Sequence, residues 1–228
     1  MSASSFCDTR TTQLDPDLLF TPFRVQTNWH VITGGPSSGK STLIDQLAEK
    51  GYPTVAETAR QHIESEVAKG RTVKEIRADG AALARDVMDL QRKTEDGLSA
   101  RDVTFLDRGL PDCLAFLRLG GVNPNDLLAE CFHHRYASVF VLDQLAFERD
   151  GLRLESDADI AGYLKVWHTR DYSAFGYRVV RVPVLPPEER LAFVLERLSG
   201  RGLQDRVPLT SWRRSDSVRQ GLECVSVA

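Results

Sequence analysis

The stretch of this chain that most directly indicates chemistry is residues 34–41, which read Gly-Gly-Pro-Ser-Ser-Gly-Lys-Ser. This order fits the phosphate-loop pattern G-x-x-x-x-G-K-[ST], in which small residues let backbone N–H groups turn toward phosphate oxygens. Lys40 is expected to reach the β- and γ-phosphates of a nucleotide, and the Ser41 hydroxyl to bind Mg²⁺. The residues predicted to hold the nucleotide are Gly34, Gly35, Pro36, Ser37, Ser38, Gly39, Lys40, Ser41 and Thr42.

The flanks of this segment support a phosphate-binding role. Residues 29–33 form a short apolar, β-prone run, and residues 42–48 have the pattern of a helix. Strand, glycine loop and helix in this order bring the positive end of the helix dipole to the phosphates. The alternative is a chance glycine turn before a helix. The complete motif in this context favours nucleotide binding.

Carboxylates follow three other predicted strands, namely Glu57, Asp107 and Asp143. Ligands of open α/β sheets bind outside the carboxyl ends of the strands, so these side chains are expected at one rim. Carboxylates near a triphosphate repel it unless a cation intervenes, which makes Mg²⁺ the natural partner. Asp107 is predicted to organise the metal, or else to cap a helix. Glu57 is predicted to act as a general base or as a first-turn glutamate, and Asp143 to cap a turn.

Arginines near these positions are candidates for binding phosphate or substrate. Arg60 and Arg108 follow the carboxylates, and either could instead form a surface ion pair of little energetic value. Arg149 and Arg153 flank Gly151 in a charged segment. An arginine delivered by a closing lid would stabilise the charge on a moving phosphoryl group, and a solvated loop is the alternative.

The elements that must position these residues follow an α/β pattern. Short apolar strands alternate with helices, which predicts about five parallel strands with helices on both faces. We expect a polar lead-in over 1–26, a phosphate-loop domain over 27–199 with a helical lid at about 146–170, and an extension over 200–228. The core is expected to begin near Asn28. One long helical stripe is predicted to face the core, formed by Val73, Ile76, Gly80, Leu83, Val87 and Leu90.

The composition is typical of a globular protein and argues against a membrane protein or a nucleic-acid-binding protein. The chain has 228 residues, 42% of them hydrophobic and 27% charged, with a formal net charge of −3. This suits a soluble globular protein, and the lack of a basic surplus argues against nucleic-acid binding. No apolar run reaches membrane-spanning length, and the N-terminus shows no signal pattern. Four scattered cysteines without a C-x-x-C pair suit a reducing cytosol, so we expect a cytoplasmic protein with no membrane partner.

Four segments together resemble the P-loop small-molecule kinases. They are GGPSSGKSTL, AETAR at 56–60, FLDRG at 105–109 and RDGLR at 149–153. The resemblance is greatest to the group that contains the ribosylnicotinamide kinase domain of the bifunctional NAD-regulatory protein, many relatives of which are described only as AAA-type ATPases. It extends over most of residues 29–199.

The resemblance implies a nucleotide-kinase-like fold that binds ATP and Mg²⁺ through Lys40 and Ser41. It also implies that Asp107 lies near the metal or the substrate hydroxyl, that Glu57 and Arg60 line the acceptor pocket, and that the arginines at 149 and 153 belong to the lid. The sequence departs from the family pattern in two respects. Asp107 is followed by Arg-Gly and not by a second carboxylate two residues on, and no adenylyltransferase domain is expected in this sequence. Ribosylnicotinamide itself is therefore not the expected substrate.

Three functions remain open from the sequence. The first is ATP-dependent phosphorylation of a small hydroxyl-bearing acceptor, such as a nucleoside-like molecule, with Glu57 or Asp107 orienting the acceptor oxygen. The second is a regulatory ATPase that acts on a protein partner and needs no acceptor pocket. The third is a polynucleotide 5′-hydroxyl kinase, which the net charge of −3 disfavours.

Overall fold

The structure is a computed structural model that describes residues 11–145 and 156–199. The strands are β1 Val25–Gln26, β2 Trp29–Gly34, β3 Thr54–Val55, β4 Thr104–Asp107, β5 His134–Arg135, β6 Ser138–Leu142 and β7 Val179–Val182. Five of them form a parallel sheet in the order β3-β4-β2-β6-β7. β1 pairs with β5 in a separate two-stranded parallel sheet. The prediction of about five parallel strands is confirmed, with the strand that precedes the phosphate loop at the centre.

The helices alternate with the strands as the sequence predicted. They are α1 Lys40–Glu49, α2 Thr58–Ala68, α3 Val73–Ala78, α4 Gly80–Asp96, α5 Leu110–Leu119, α6 Ser156–Ala174 and α7 Pro187–Ser199, with 3₁₀ helices at Leu18–Phe20 and Pro124–Phe132. Within the described ranges, no helix has both the length and the apolar character needed to cross a membrane.

Side chains alternate between the two faces of the sheet along each strand. Because the strands are apolar on both faces, helices cover both of them. Every residue of β2 is buried. Trp29 and Val31 join the main apolar cluster, which also takes in side chains of α4 and α5. The intervening His30 packs its ring 5.2 Å from that of Phe105. α1 packs against β2, β3 and β4. The apolar side chains that α1 buries, such as Leu43, do not belong to the main cluster.

The long helical stripe predicted from Val73 to Leu90 is wrong in two respects. Asp79 interrupts the helix between α3 and α4, and its side chain accepts a hydrogen bond from the Ala82 N–H as an N-cap. Two members of the predicted stripe do face the core, since Ile76 is buried and Val87 packs against the main cluster. The residues that α4 buries are, however, Ala84, Met88, Gln91 and Glu95, two of which are polar.

The core begins earlier than the predicted start near Asn28. Leu14 is buried in the main cluster, and the Phe23 ring lies 5.2 Å from that of Phe132. The Thr12 carbonyl accepts a hydrogen bond of 2.8 Å from the Arg118 side chain. The described part of the polar lead-in is therefore anchored to the domain through backbone as well as apolar contacts.

The chain divides into two compact units, Met1–Val194 and Leu195–Ala228. The first contains all seven strands and the phosphate loop. The second is described only at residues 195–199, the last residues of α7. The domain limits proposed from the sequence, 27–199 and 200–228, stay a prediction.

Candidate functional site

The phosphate loop connects the carboxyl end of β2 to the start of α1, as its motif requires. Its backbone has positive φ at Gly34 (148°), Ser37 (59°) and Gly39 (83°). A Cβ at Gly34 would lie 2.9 Å from the Leu142 carbonyl oxygen, and a Cβ at Gly39 would overlap the Arg190 guanidinium. Both positions therefore favour glycine on conformational grounds, and at Gly34 the close backbone oxygen adds a steric reason.

Lys40 is buried within the loop, where its residue exposure is 6%. Its Nζ donates a hydrogen bond of 2.8 Å to the Gly35 carbonyl oxygen. Burial, and after it the nearby charge of Arg108, lowers the pKa of Lys40 to about 8. The side chain stays mostly charged at neutral pH, and its partner is a backbone oxygen of the loop itself.

Asp107 ends β4 beside the loop and is buried. Its Oδ1 has no hydrogen-bond partner among the described residues. Burial, reinforced by the charge of Glu57, raises the pKa of Asp107 to about 6 despite the opposing charges of Lys40 and Arg108. A buried carboxylate oxygen without a partner is costly and is a candidate ligand for a cation or a hydroxyl group.

Arg108 connects the loop to the neighbouring strand end. Its Nε donates a hydrogen bond of 2.7 Å to Glu57 Oε1, and its Nη1 lies 3.2 Å from the Gly34 carbonyl oxygen and 3.5 Å from Asp112 Oδ1. Arg108 also has a φ of 77°, an uncommon backbone conformation for a side chain of this size. Burial opposes ionisation of Glu57, but the Arg108 guanidinium outweighs it and holds the pKa of Glu57 below its ordinary value.

The structure thus brings Lys40, Glu57, Asp107 and Arg108 together at one rim of the sheet. Arg60 is exposed on α2, and its charge contributes to the lowered pKa of Glu57. Arg149 and Arg153 lie outside the described residues, so their place in a lid stays a prediction.

The sequence did not indicate the polar cluster behind Arg108. Asp112 accepts hydrogen bonds from the Thr33 hydroxyl, the Tyr172 hydroxyl (2.5 Å) and the Gly109 N–H (2.9 Å). His168 Nδ1 lies 3.4 Å from Asp112 Oδ1. Burial lowers the pKa of His168 to about 4 against the opposing charge of Asp112, so this imidazole is neutral at pH 7. The only local signal was an acidic residue in the first turn of a helix, since Asp112 takes part in a capping arrangement at the start of α5.

A second buried network supports the backbone that follows Asp107. Gln91 donates to the Arg108 carbonyl oxygen at 3.3 Å and to Glu95 Oε1 at 3.0 Å. The Tyr136 hydroxyl donates to Glu95 and accepts a hydrogen bond of 2.9 Å from the Leu110 N–H. These contacts fix the turn between β4 and α5, and with it the direction in which the Asp107 and Arg108 side chains leave the sheet.

The end of β6 contributes an ion-pair cluster and a contact with the loop. Asp143, predicted to cap a turn, instead accepts hydrogen bonds from Arg181 Nε at 2.8 Å and from Lys165 Nζ at 2.7 Å. Its hydrogen bonds, first with Arg181 and then with Lys165, hold the pKa of Asp143 below its ordinary value. The next residue, Gln144, donates a hydrogen bond of 2.9 Å to the Pro36 carbonyl oxygen. The residues directly after β6 therefore help to hold the loop through Gln144, while the Asp143 carboxylate is paired with Arg181 and Lys165.

Two solved structures share this arrangement of strands and helices. The NadR protein in complex with NR aligns with a TM-score of 0.57 and 18% identity, over 76% of this chain and 51% of that one. This chain thus spans about half the length of that protein. Thymidylate kinase from Candida albicans aligns with a TM-score of 0.50 and 16% identity, over 76% of this chain and 92% of the other. At these identities the likeness shows a shared fold, that of the P-loop kinases.

The sequence itself gives the family. The profile of the AAA domain family AAA_28 matches residues 29–190, from the start of β2 into the first turn of α7. This range contains the loop, both buried networks and the strand ends described above, and it covers well over half of the chain. The protein therefore belongs to this AAA domain family, with the P-loop kinase-like α/β fold that the sequence indicated.

Proposed function

We propose that this protein transfers the γ-phosphoryl group of ATP to a hydroxyl group of a small, nucleoside-like acceptor. The observation that carries the proposal is the state of Asp107, a buried carboxylate with an unpartnered oxygen beside Lys40 at the rim of the sheet. Such a group destabilises the free protein, and groups of this kind are concentrated at sites where a ligand completes their surroundings.

The residues at this rim fit Mg²⁺. Carboxylate and hydroxyl oxygens are the ligands that this ion prefers, and nucleotide sites supply one or two of them from the protein. Asp107 Oδ1 is available, and Ser41 is exposed in the first turn of α1. These two residues would hold the ion. When bound with the nucleotide, it would supply neutralisation of the phosphate charge.

The other residues then have separate roles. Lys40 would exchange its hydrogen bond with the Gly35 carbonyl oxygen for one with a phosphate oxygen. Glu57 is partly exposed, with 25% of its side chain accessible, and Arg108 keeps it ionised and oriented. It would accept a hydrogen bond from the acceptor hydroxyl. Phosphoryl transfer requires mainly positioning and charge stabilisation, which these contacts would provide. We propose that Arg149 and Arg153, which lie outside the described residues, add positive charge to the transferred group as the sequence predicts.

We propose that the acceptor binds in a polar groove that starts at Thr58, the residue after Glu57; Glu57 itself does not line this groove. It has a volume of about 430 Å³ and lies between α2 and α4, beginning at Thr58. Its lining includes His62, Asp86, Asp89 and Lys93, which offer both hydrogen-bond donors and acceptors. NadR, whose structure contains NR, and thymidylate kinase support a small-molecule acceptor by analogy. We propose that Arg60, which does not line the groove but whose charge acts on Glu57, contacts the acceptor at the Glu57 end of α2.

The test is a screen of nucleosides, sugars and amino-alcohols, with ribosylnicotinamide included, for acceptor-dependent release of ADP. The Lys40→Ala variant serves as the control for contaminating activity. We expect ADP release by the wild-type protein to require one class of acceptor, and a phosphorylated product to form in equal amount.

Membership of an AAA domain family supports one other candidate, a regulatory ATPase that acts on a protein partner. This function predicts ATP hydrolysis that no small molecule stimulates. If none of the acceptors increases ADP release above a basal hydrolysis that Lys40→Ala abolishes, the kinase proposal is wrong and the ATPase is favoured.

A further inference from the structure

Arg190 belongs to α7, but its guanidinium packs against the phosphate loop. Its Nη1 donates a hydrogen bond of 3.2 Å to the Ser38 carbonyl oxygen, and its Nη2 one of 2.9 Å to the Leu185 carbonyl oxygen. The residue is only 5% exposed, and its Nε has no hydrogen-bond partner within the described ranges. The side chain occupies the space that a Cβ at Gly39 would need, so the loop glycine permits this approach.

Arg190 differs from two of the other buried cations because no described carboxylate lies close to it. Four lysines and arginines are buried in the part of the chain that the structure describes: Lys40, Arg108, Arg118 and Arg190. Arg108 and Arg118 each lie within ion-pair distance of carboxylates. For Lys40 and Arg190, the described residues provide no carboxylate within 4.0 Å. Both of these cations lie at the phosphate loop.

A buried guanidinium without a counter-ion is unfavourable, since hydrogen bonds to neutral carbonyl groups compensate only part of the lost hydration. Burial accordingly lowers the pKa of Arg190. An anionic ligand in the loop would supply to Arg190, as to Lys40, a negative charge that no described carboxylate provides within 4.0 Å. If the side chain served only to attach α7 to the loop, a neutral hydrogen-bond donor could make the same contacts with the two carbonyl oxygens. The positive charge of Arg190 is not needed for that attachment.

The contact with Ser38 also has a geometric consequence. The C=O and N–H groups of a trans peptide point in opposite directions. Because Arg190 holds the Ser38 carbonyl on its own side, the Gly39 N–H of the same peptide is directed to the other side. The guanidinium therefore fixes the orientation of one of the loop amides that the motif uses for phosphate.

We propose that Arg190 is a nucleotide-positioning residue, which orients the loop at Ser38–Gly39 and adds a positive charge that the polyphosphate balances. This inference rests on the nucleotide binding in the proposed function, but not on the identity of the acceptor. It places the start of α7 in the nucleotide site, about 150 residues after the motif in the sequence.

The experiment is calorimetric titration of the full chain with Mg-ATP, combined with thermal unfolding of the nucleotide-free protein. The variants are Arg190→Met and Arg190→Lys. Arg178→Met is the control, because Arg178 is an exposed arginine just before β7 and thus at the amino end of that strand. We expect Arg190→Met to weaken Mg-ATP binding about tenfold to a hundredfold, as for loss of a charged hydrogen-bonding group. Arg190→Lys should recover part of the loss, and Arg178→Met should bind as the wild type does.

The stability readout distinguishes positioning from a structural role. We expect nucleotide-free Arg190→Met to unfold at or above the wild-type temperature, because an uncompensated buried charge is gone, while saturating Mg-ATP stabilises it less. A lower unfolding temperature in both Arg190 variants with equal losses of affinity would show a structural attachment and overturn the inference. Unchanged affinity in Arg190→Met would also overturn it. If the wild-type protein binds neither Mg-ATP nor Mg-GTP, the proposed function fails as well; binding without acceptor phosphorylation removes only the kinase assignment.

Discussion

Asp107→Asn gives the sharpest test of the candidate site, because it should weaken function and strengthen the fold at the same time. Asparagine has nearly the same shape as aspartate but carries no charge at any pH. In the structure Asp107 is 4% exposed, and burial raises its pKa from 3.8 to about 6. At neutral pH the wild-type protein therefore keeps an ionised carboxylate in surroundings that disfavour it.

The size of the effect follows from this shift in pKa. About two pKa units correspond to roughly 3 kcal/mol in the free energy of unfolding. The folded protein binds the proton of Asp107 more tightly than the unfolded chain does, so the contribution of Asp107 to stability falls as the pH rises from 3.8 to about 6 and is constant above it. The Asp107→Asn variant has no ionisable group at this position, so it does not lose this stability as the pH rises. Above pH 6 it should be more stable than the wild type by up to about 3 kcal/mol, or roughly 6–12 °C in Tm for a chain of this length.

The assay is thermal unfolding in EDTA between about pH 4 and 8, together with phosphoryl transfer at pH 7.5. Asp102→Asn is the matched control, because Asp102 is exposed near the other end of β4. We expect the stabilising effect of Asp107→Asn to be small near pH 4 and to reach its full size above pH 6, with transfer reduced about a hundredfold or more. A variant less stable than the wild type at pH 8, or a gain that does not change with pH, would refute the reasoning. Unchanged transfer would remove Asp107 from the mechanism.

Three further substitutions test other parts of the structure. Lys40→Ala should lower ATP turnover at least about a hundredfold in an ADP-release assay, because it removes the buried cation of the loop, and wild-type turnover would exclude this role. Glu57→Gln should lower acceptor-dependent turnover while Mg-ATP affinity, measured by calorimetry, changes by less than about threefold, since Glu57 is assigned to the acceptor side; equal effects on both would place it elsewhere. Arg118→Met should cost about 3–5 kcal/mol in urea unfolding, because it leaves Asp171 buried without its bidentate partner, and adding Asp171→Leu should recover much of the loss.

The sequence was sufficient for the five strands of the main sheet and for the strand ends that carry the site. The phosphate loop, Glu57 and Asp107 lie at boundaries between short apolar runs and helical patterns, and such boundaries are local features. In a parallel sheet their carboxyl ends meet at one rim, so the approximate position of each residue follows from its place in the chain. The structure places Glu57 and Asp107 there, next to Lys40.

Partners distant in the sequence could not be found in this way. Periodicity assigns polar residues to the surface, so it missed Gln91 and Glu95, which are buried because other elements supply their hydrogen bonds. The contact of His168 with Asp112 joins α6 to α5, and that of Arg190 with Ser38 joins α7 to the loop. These pairings depend on the packing of whole helices, which no local pattern contains.

The two carboxylates at the neighbouring strand ends are held in opposite electrostatic states. Arg108 donates its Nε to Glu57 and lowers the pKa of Glu57, whereas Asp107 Oδ1 is left without a donor and the pKa of Asp107 is raised. Environments that separate the pKa values of two acids also separate their roles. Glu57 is already compensated and can orient a neutral hydroxyl group without any added cation. Asp107 is not, so its ionised form remains destabilised until a cation arrives with the nucleotide. The two carboxylates stay coupled, because the charge of Glu57 contributes to the raised pKa of Asp107.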